Sequence, residues 1–118
     1  MLNKVCKETL GEETMLIDII NSPSKGTIRL LSRKVNDSIV KDLFLKETIT
    51  AVGLVQGQVE EIILAADIAE KASNVEVAEI HGSCPQHITV LGIFGDTSSV
   101  KTAVNAVIKW QKERNIKK

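Results

Sequence analysis

Runs of apolar and β-branched residues, separated by polar breaks, predict four strands along this chain. The first run covers residues 13–21 and the second covers residues 48–57, which are apolar on both faces toward their end. Two further runs, residues 75–82 and 87–95, stand on either side of a short turn that contains a proline. We therefore expect the last two strands to form a hairpin.

Helical spacing of apolar residues predicts three helices, and one segment stays open. Ser24 is placed to cap a helix that runs to about Lys34, and Asp96 or Thr97 is placed to cap a helix over residues 98–115. A third helix is expected at residues 58–73, with one apolar face made of Val59, Ile62, Ile63, Ala66 and Ala69. Residues 39–47 fit a short helix and a strand equally well.

The order of these elements predicts a circularly permuted α+β sandwich. From the second strand onward, the order strand, helix, strand, strand, helix is the front of a β-α-β-β-α-β ferredoxin-like fold. The strand that would close this fold stands first in the chain, an arrangement that is tolerated when the termini lie close together. We expect an antiparallel sheet with helices on one face, built by a single domain over residues 12–118, and an N-terminal extension over residues 1–11.

Composition excludes several classes of function. The chain has 118 residues with net charge zero and 3% aromatic residues, so neither the basic patch nor the stacking surface of a nucleic-acid binder is expected. No apolar run approaches the roughly 20 residues that span a bilayer, and the first residues lack the apolar core of a signal peptide. Two cysteines in such a chain favour a reducing compartment.

The turn between the last two strands concentrates the reactive side chains. Residues 79–87 hold both histidines and one of the two cysteines, Cys84. No phosphate-binding glycine loop and no Ser-His-Asp set appears in the sequence, so we do not expect an enzyme. Judged by composition alone, a single Cys-Pro in a turn is commonly inert.

Several short motifs, in this order and at this spacing, resemble the shell proteins of bacterial microcompartments, the BMC-domain family. The motifs are Ala65-Ala66-Asp67, Lys71-Ala72, Asn74-Val75-Glu76, Gly82-Ser83 and Gly95-Asp96, followed by a valine-rich helix. The closing segment of that family resembles residues 17–34, which come first here, as in its circularly permuted members. The resemblance implies a structural shell protein that forms a homohexamer in a cytoplasmic microcompartment, together with other shell proteins and enclosed glycyl-radical pathway enzymes.

The turn itself resembles the pore segment of the iron–sulfur-binding shell proteins of glycyl-radical propanediol-type microcompartments. The resemblance implies a central pore lined by Gly82, Ser83, Cys84, Pro85 and Gln86. It also implies an iron–sulfur cluster for electron transfer across the shell or for redox sensing. The expected form is a cubane cluster (4Fe–4S), one per hexamer, held by the Cys84 thiolates of several subunits, with His81 and His87 as secondary ligand candidates.

One cysteine per chain can hold a cluster only when a ring of subunits brings several copies of that cysteine together. A cubane has tetrahedral vertices, so we expect the six copies to bind unequally. Two alternatives stay open: a plain shell hexamer with a metabolite pore and no cluster, and a small ferredoxin-like regulatory module that binds a ligand.

Overall fold

A computed structural model describes residues 15–82 and 88–117. The strands are β1 (Leu16–Asn21), β2 (Ala51–Gln58), β3 (Glu76–Ile80) and β4 (Ile88–Gly95), and the helices are α1 (Lys25–Lys34), α2 (Ser38–Leu45), α3 (Val59–Ala72) and α4 (Thr97–Lys117). All the predicted strands and helices in these ranges are present, and the open segment is a helix, α2. No helix of these ranges is long and apolar enough to cross a bilayer. Residues 1–11, the expected extension, lie outside the described part.

The four strands form one antiparallel sheet in the order β1-β2-β4-β3. Strand β1 is the first in the chain, yet it pairs with β2 at the sheet edge, with Leu16 opposite Gln56 and Asn21 opposite Ala51. A β-α-β-β-α-β sandwich places its closing strand at this position. The structure therefore has the predicted α+β sandwich fold in circularly permuted order.

Helices α3 and α4 cover one face of the sheet. Small side chains allow the close approach, since Ala65, Ala69 and Ala103 are fully buried there. The remaining buried members of this core include Val55, Ile62, Leu91, Ile93, Val100, Val104 and Val107. Burial of this apolar surface is the main favourable term for the helix–sheet contact.

Helices α1 and α2 cover the opposite face. The sheet therefore has helices on both faces, whereas the sequence predicted helices on one face. Val35, Val40 and Phe44 are buried against Val52 and Phe94 of the sheet. The rings of Phe44 and Phe94 meet edge to face, with centroids 5.4 Å apart. Because strands β2 and β4 are apolar on both faces in this region, the face away from α3 and α4 must also be buried by other elements.

Side-chain caps fix the starts of three helices. Ser24 Oγ accepts the backbone N–H of Thr27 at 3.2 Å, which confirms the predicted start of α1. Asp37 Oδ1 accepts the N–H of Ile39 at 2.9 Å and starts α2. For α4 the choice falls on Asp96, whose Oδ1 accepts the N–H of Ser99 at 2.8 Å.

Candidate functional site

The segment that carries Cys84 connects the two strands at one end of the sheet. Strand β3 ends at Ile80 and β4 begins at Ile88, and the last pair of their register is Ile80 opposite Val90. Gly82 is exposed at the start of the connection. The other predicted pore-lining residues (Ser83, Cys84, Pro85 and Gln86) and the ligand candidate His87 lie outside the described residues.

His81 is tied to the chain segment that follows helix α1. Its backbone N–H donates to the carbonyl oxygen of Lys34 at 2.7 Å. Its ring Nε2 lies 3.2 Å from the side-chain nitrogen of Asn36. The Asn36 amide and the His81 ring are therefore hydrogen-bonded to each other, with a direction that depends on the ring tautomer.

The bond to Asn36 gives His81 an anchoring role. Nε2 is engaged with Asn36 and would have to leave this partner to bind a metal ion. Lys34 and Asn36 did not appear among the predicted site residues. They stand more than 40 residues before His81 in the chain, and no sequence spacing connects them with the turn.

A small cleft opens beside this anchor on the face that α1 covers only partly. It has a volume of about 280 Å³, and Lys34, Gln56, Glu79 and Thr89 are among its lining residues. The Thr89 hydroxyl donates to Glu79 Oε2 at 3.0 Å and links the two strands of the hairpin. A side-chain hydrogen bond therefore joins the two strands close to the point where the connection with Cys84 begins.

The donor chemistry of the segment fits an iron–sulfur cluster only through several chains. Clusters are held by about four thiolates, and one chain supplies Cys84 as its single cysteine in this segment. Within residues 15–82 and 88–117, no group of three His, Cys, Asp or Glu side chains is arranged for a metal ion. A thiolate is a suitable donor for a cluster, and a cluster at this segment would need further thiolates from other copies of the chain.

Exposed apolar side chains surround the same end of the sheet. Leu16 is 42% exposed, Val59 is 46% exposed and Ile88 is 44% exposed. The pairings of Leu16 with Gln56 and of Ile88 with Gln58 place Leu16 and Ile88 on the sheet face of α1 and α2, whereas Val59 is the first residue of α3. These three side chains, here called the apolar rim, are candidates for a contact between subunits.

Comparison with known proteins identifies the family. The model for the BMC domain matches residues 51–117, more than half of the chain. No curated protein matches.

Two of the similar solved structures are ligand-free GrpU microcompartment shell proteins. The protein from Pectobacterium wasabiae is 33% identical, with 78% of this chain and 98% of that chain covered and a TM-score of 0.60. The protein from Clostridiales bacterium 1_7_47FAA is 35% identical, with 87% of this chain and 99% of that chain covered and a TM-score of 0.61.

A fused permuted hexameric shell protein of the RMM microcompartment has the same fold. It is 19% identical, with 90% of this chain and 55% of that chain covered and a TM-score of 0.62. This likeness agrees with the permuted order that the sheet topology shows.

Proposed function

We propose that this chain, which belongs to the BMC-domain family of bacterial microcompartment shell proteins, forms a cyclic homohexamer with an iron–sulfur cluster in its central pore. As a circularly permuted member it is a structural protein of a shell in the bacterial cytoplasm. Because the family consists of shell proteins, we set aside the alternative of a small regulatory module that binds a ligand. We further propose other shell proteins as its neighbours and glycyl-radical pathway enzymes as the enclosed cargo.

The observation that carries the proposal is that β3 ends and β4 begins at one end of the sheet, so the segment with Cys84 joins them there. The apolar rim of Leu16, Val59 and Ile88 lies at the same end. Subunits that meet through this rim would bring their copies of the segment toward one axis. Six thiols per ring would then replace the four spaced cysteines of a single-chain iron–sulfur protein.

Each part of the segment has a distinct task in this proposal. The Cys84 thiolates of several subunits hold the cluster, and Gly82 allows the backbones to approach each other. His81 fixes one end of the segment through Asn36 and the Lys34 carbonyl. When bound, the cluster supplies reversible one-electron transfer, which serves electron passage across the shell or redox sensing.

The test is the iron and sulfide content of protein that is purified and reconstituted without oxygen. We expect about four irons and four sulfides per hexamer, with the visible absorbance of a cluster. Cys84→Ser should remove both while native mass spectrometry still shows the hexamer. Cys6→Ser is the matched control and should retain the cluster.

Two outcomes would contradict the proposal. Iron that survives in Cys84→Ser would show that other groups hold it. An intact hexamer that takes up no iron on reconstitution would instead support the plain shell hexamer with a metabolite pore.

A further inference from the structure

Two hydrogen-bond donors are buried without a partner near the end of helix α4. Gln111 is 9% exposed, and its Nε2 atom meets no acceptor within residues 15–82 and 88–117. The Nη1 atom of Arg114 is buried and unpartnered in the same way. Because the two residues stand three positions apart on α4, their side chains share one face of the helix. Unpaired buried donors are rare in folded proteins, and two side by side indicate a place for an acceptor.

The ring of Trp110 holds the guanidinium of Arg114 in place. The Cζ atom of Arg114 lies 5.0 Å from the centre of this ring, which is the distance of a cation–π contact. Trp110 itself packs against the core that α3 and α4 form with the sheet. The ring face attracts the cation but leaves its positive charge uncompensated.

The part of the chain that the structure describes supplies no carboxylate to Arg114. Its ion pairs are Lys46 with Asp42 and Lys71 with Asp67. Glu113 adjoins Arg114 in the sequence, but neighbouring residues of a helix point in different directions, and Glu113 is exposed. Burying an uncompensated charge costs more free energy than burying a neutral donor. The acceptor that suits these donors is therefore an anion rather than a water molecule.

We propose that Gln111 and Arg114 bind an oxyanion, a carboxylate or a phosphate group, beside Trp110. The N–H groups of arginine match the spacing of carboxylate and phosphate oxygens, and the amide of Gln111 adds a neutral donor. Arg114 lies in the last turn of α4, which ends at Lys117. Helix ends open more readily than helix centres, and this opening gives an ion access to the buried donors.

The oxyanion has two sources, a free ion in solution and a carboxylate of the same chain. Glu12 and Glu13 come directly before Thr14 and Met15 in the sequence. Met15 is buried in the core against which Trp110 packs. Two residues of chain span about 7 Å, so the connection allows a glutamate of this pair to reach the end of α4.

This site is independent of the proposed pore. It contains no residue of the segment that carries Cys84, and an oxyanion has no affinity for a thiolate. Cys84→Ser should therefore bind the oxyanion as tightly as the unchanged protein. A failure of the cluster proposal would leave this one standing, and the reverse also holds.

The experiment uses Trp110 as the reporter, since it is the only tryptophan of the chain. The full chain is titrated with sodium phosphate and, separately, with sodium acetate at constant ionic strength, and Trp110 emission is recorded. For a free ion we expect a saturable change with at least one of the two. Arg114→Met should weaken this binding by at least about tenfold, because it removes a charge-assisted hydrogen bond. Gln111→Leu, which keeps the side-chain shape, should weaken it by about fivefold.

The second source predicts a different pattern. When a glutamate of the same chain occupies the site, the unchanged protein does not respond to either ion. The double variant Glu12→Gln, Glu13→Gln then frees the donors and acquires the saturable response. This response should again weaken when Arg114→Met or Gln111→Leu is added. Either pattern supports the proposal, and the comparison identifies the source.

The control removes the same charge from the neighbouring surface. Lys112→Met, at an exposed position of α4, should leave the response unchanged. Equal losses in Lys112→Met and Arg114→Met would mean a general charge effect. A response that survives in both Arg114→Met and Gln111→Leu would place the ion elsewhere, and no response in either the unchanged chain or the glutamate variant would mean that no oxyanion binds. Each of these three results overturns the proposal.

Discussion

Single residues decide how closely the layers of this molecule approach. Gly53 stands in the middle of β2, and an added Cβ would lie 2.7 Å from Val104 Cγ2 and 3.3 Å from Ile93 Cβ. The absence of a side chain is therefore what lets α4 lie against the sheet at this point. The sequence pattern does not predict this role, because a glycine in a strand is also compatible with a bulge or a bend.

We expect Gly53→Ala to lower the free energy of unfolding by about 1–3 kcal/mol, the usual cost of overpacking a core. Urea unfolding at one fixed protein concentration measures the change. Gly26→Ala in α1 is the control, since its added Cβ would have Arg29 Nη2 at 3.9 Å as its nearest neighbour. That variant should be as stable as the unchanged protein or slightly more stable. Equal stability of Gly53→Ala and the unchanged chain would contradict the packing role.

At the scale of the elements, the sequence predicted the caps well and the buried faces less well. Ser24 starts its helix as expected, and Asp96 is one of the two caps expected for α4, because a cap depends only on a few neighbouring residues. Helix α3 instead buries Ile62, Ala65 and Ala69 and leaves Val59 and Ile63 exposed. Two adjacent apolar stripes run along this helix, and only the docking on the sheet selects between them.

Helix α2 shows the same limit for element type. Eight residues are too few for a periodic pattern to separate a helix from a strand. The structure shows that the segment is a helix. Asp37 caps its start, and Val40 and Phe44, which lie one turn apart, enter the same core. Those contacts join residues from distant parts of the chain.

The Asp96 cap of α4 predicts a dependence of stability on pH. The pKa of this carboxyl lies below its usual 3.8, chiefly because the backbone N–H of Ser99 donates to it, with further bonds from the side chains of Ser99 and Ser98. A lowered pKa in the folded state adds stability above pH 3.8, and this stability is lost as the pH falls from there through the lowered pKa.

We therefore expect the melting temperature of the unchanged protein to exceed that of Asp96→Asn above pH 3.8, with the gap closing below it. Asparagine keeps the capping bond and removes the charge, so the gap isolates the ionised carboxylate. Thermal unfolding across this pH range, followed by circular dichroism, measures it. A gap that stays constant with pH would mean that the charge does not contribute.

At the scale of the whole molecule, two features bear on assembly: the permuted order of the strands and the exposed apolar rim. Strand β1 fills the edge position of the sheet although it stands first in the chain, so the fold is complete without a strand from a neighbour. The apolar rim of Leu16, Val59 and Ile88 is exposed at the end of the sheet where β3 ends and β4 begins. In the proposed hexamer, subunits would meet through this rim.

Ile88→Asp should break the hexamer, because it places a charge in the apolar subunit contact. Native mass spectrometry should then show mainly the 12.9 kDa chain. Ile88 is 44% exposed in the single chain, so circular dichroism should still show a folded protein. Leu30→Asp, at a side chain that is 53% exposed on α1, is the control and should keep the hexamer. A hexamer that tolerates Ile88→Asp would place the contact elsewhere.

The sequence by itself determined the order of the four strands and three of the helices, the permutation and the resemblance to the shell family, because these depend on local pattern and on motif spacing. It also singled out Cys84 as the residue on which the pore proposal depends. The tertiary structure decided which stripe of α3 is buried, that helices cover both faces of the sheet, and that Asn36 and Lys34 hold His81. These features arise from contacts between residues far apart in the chain, which local periodicity does not encode.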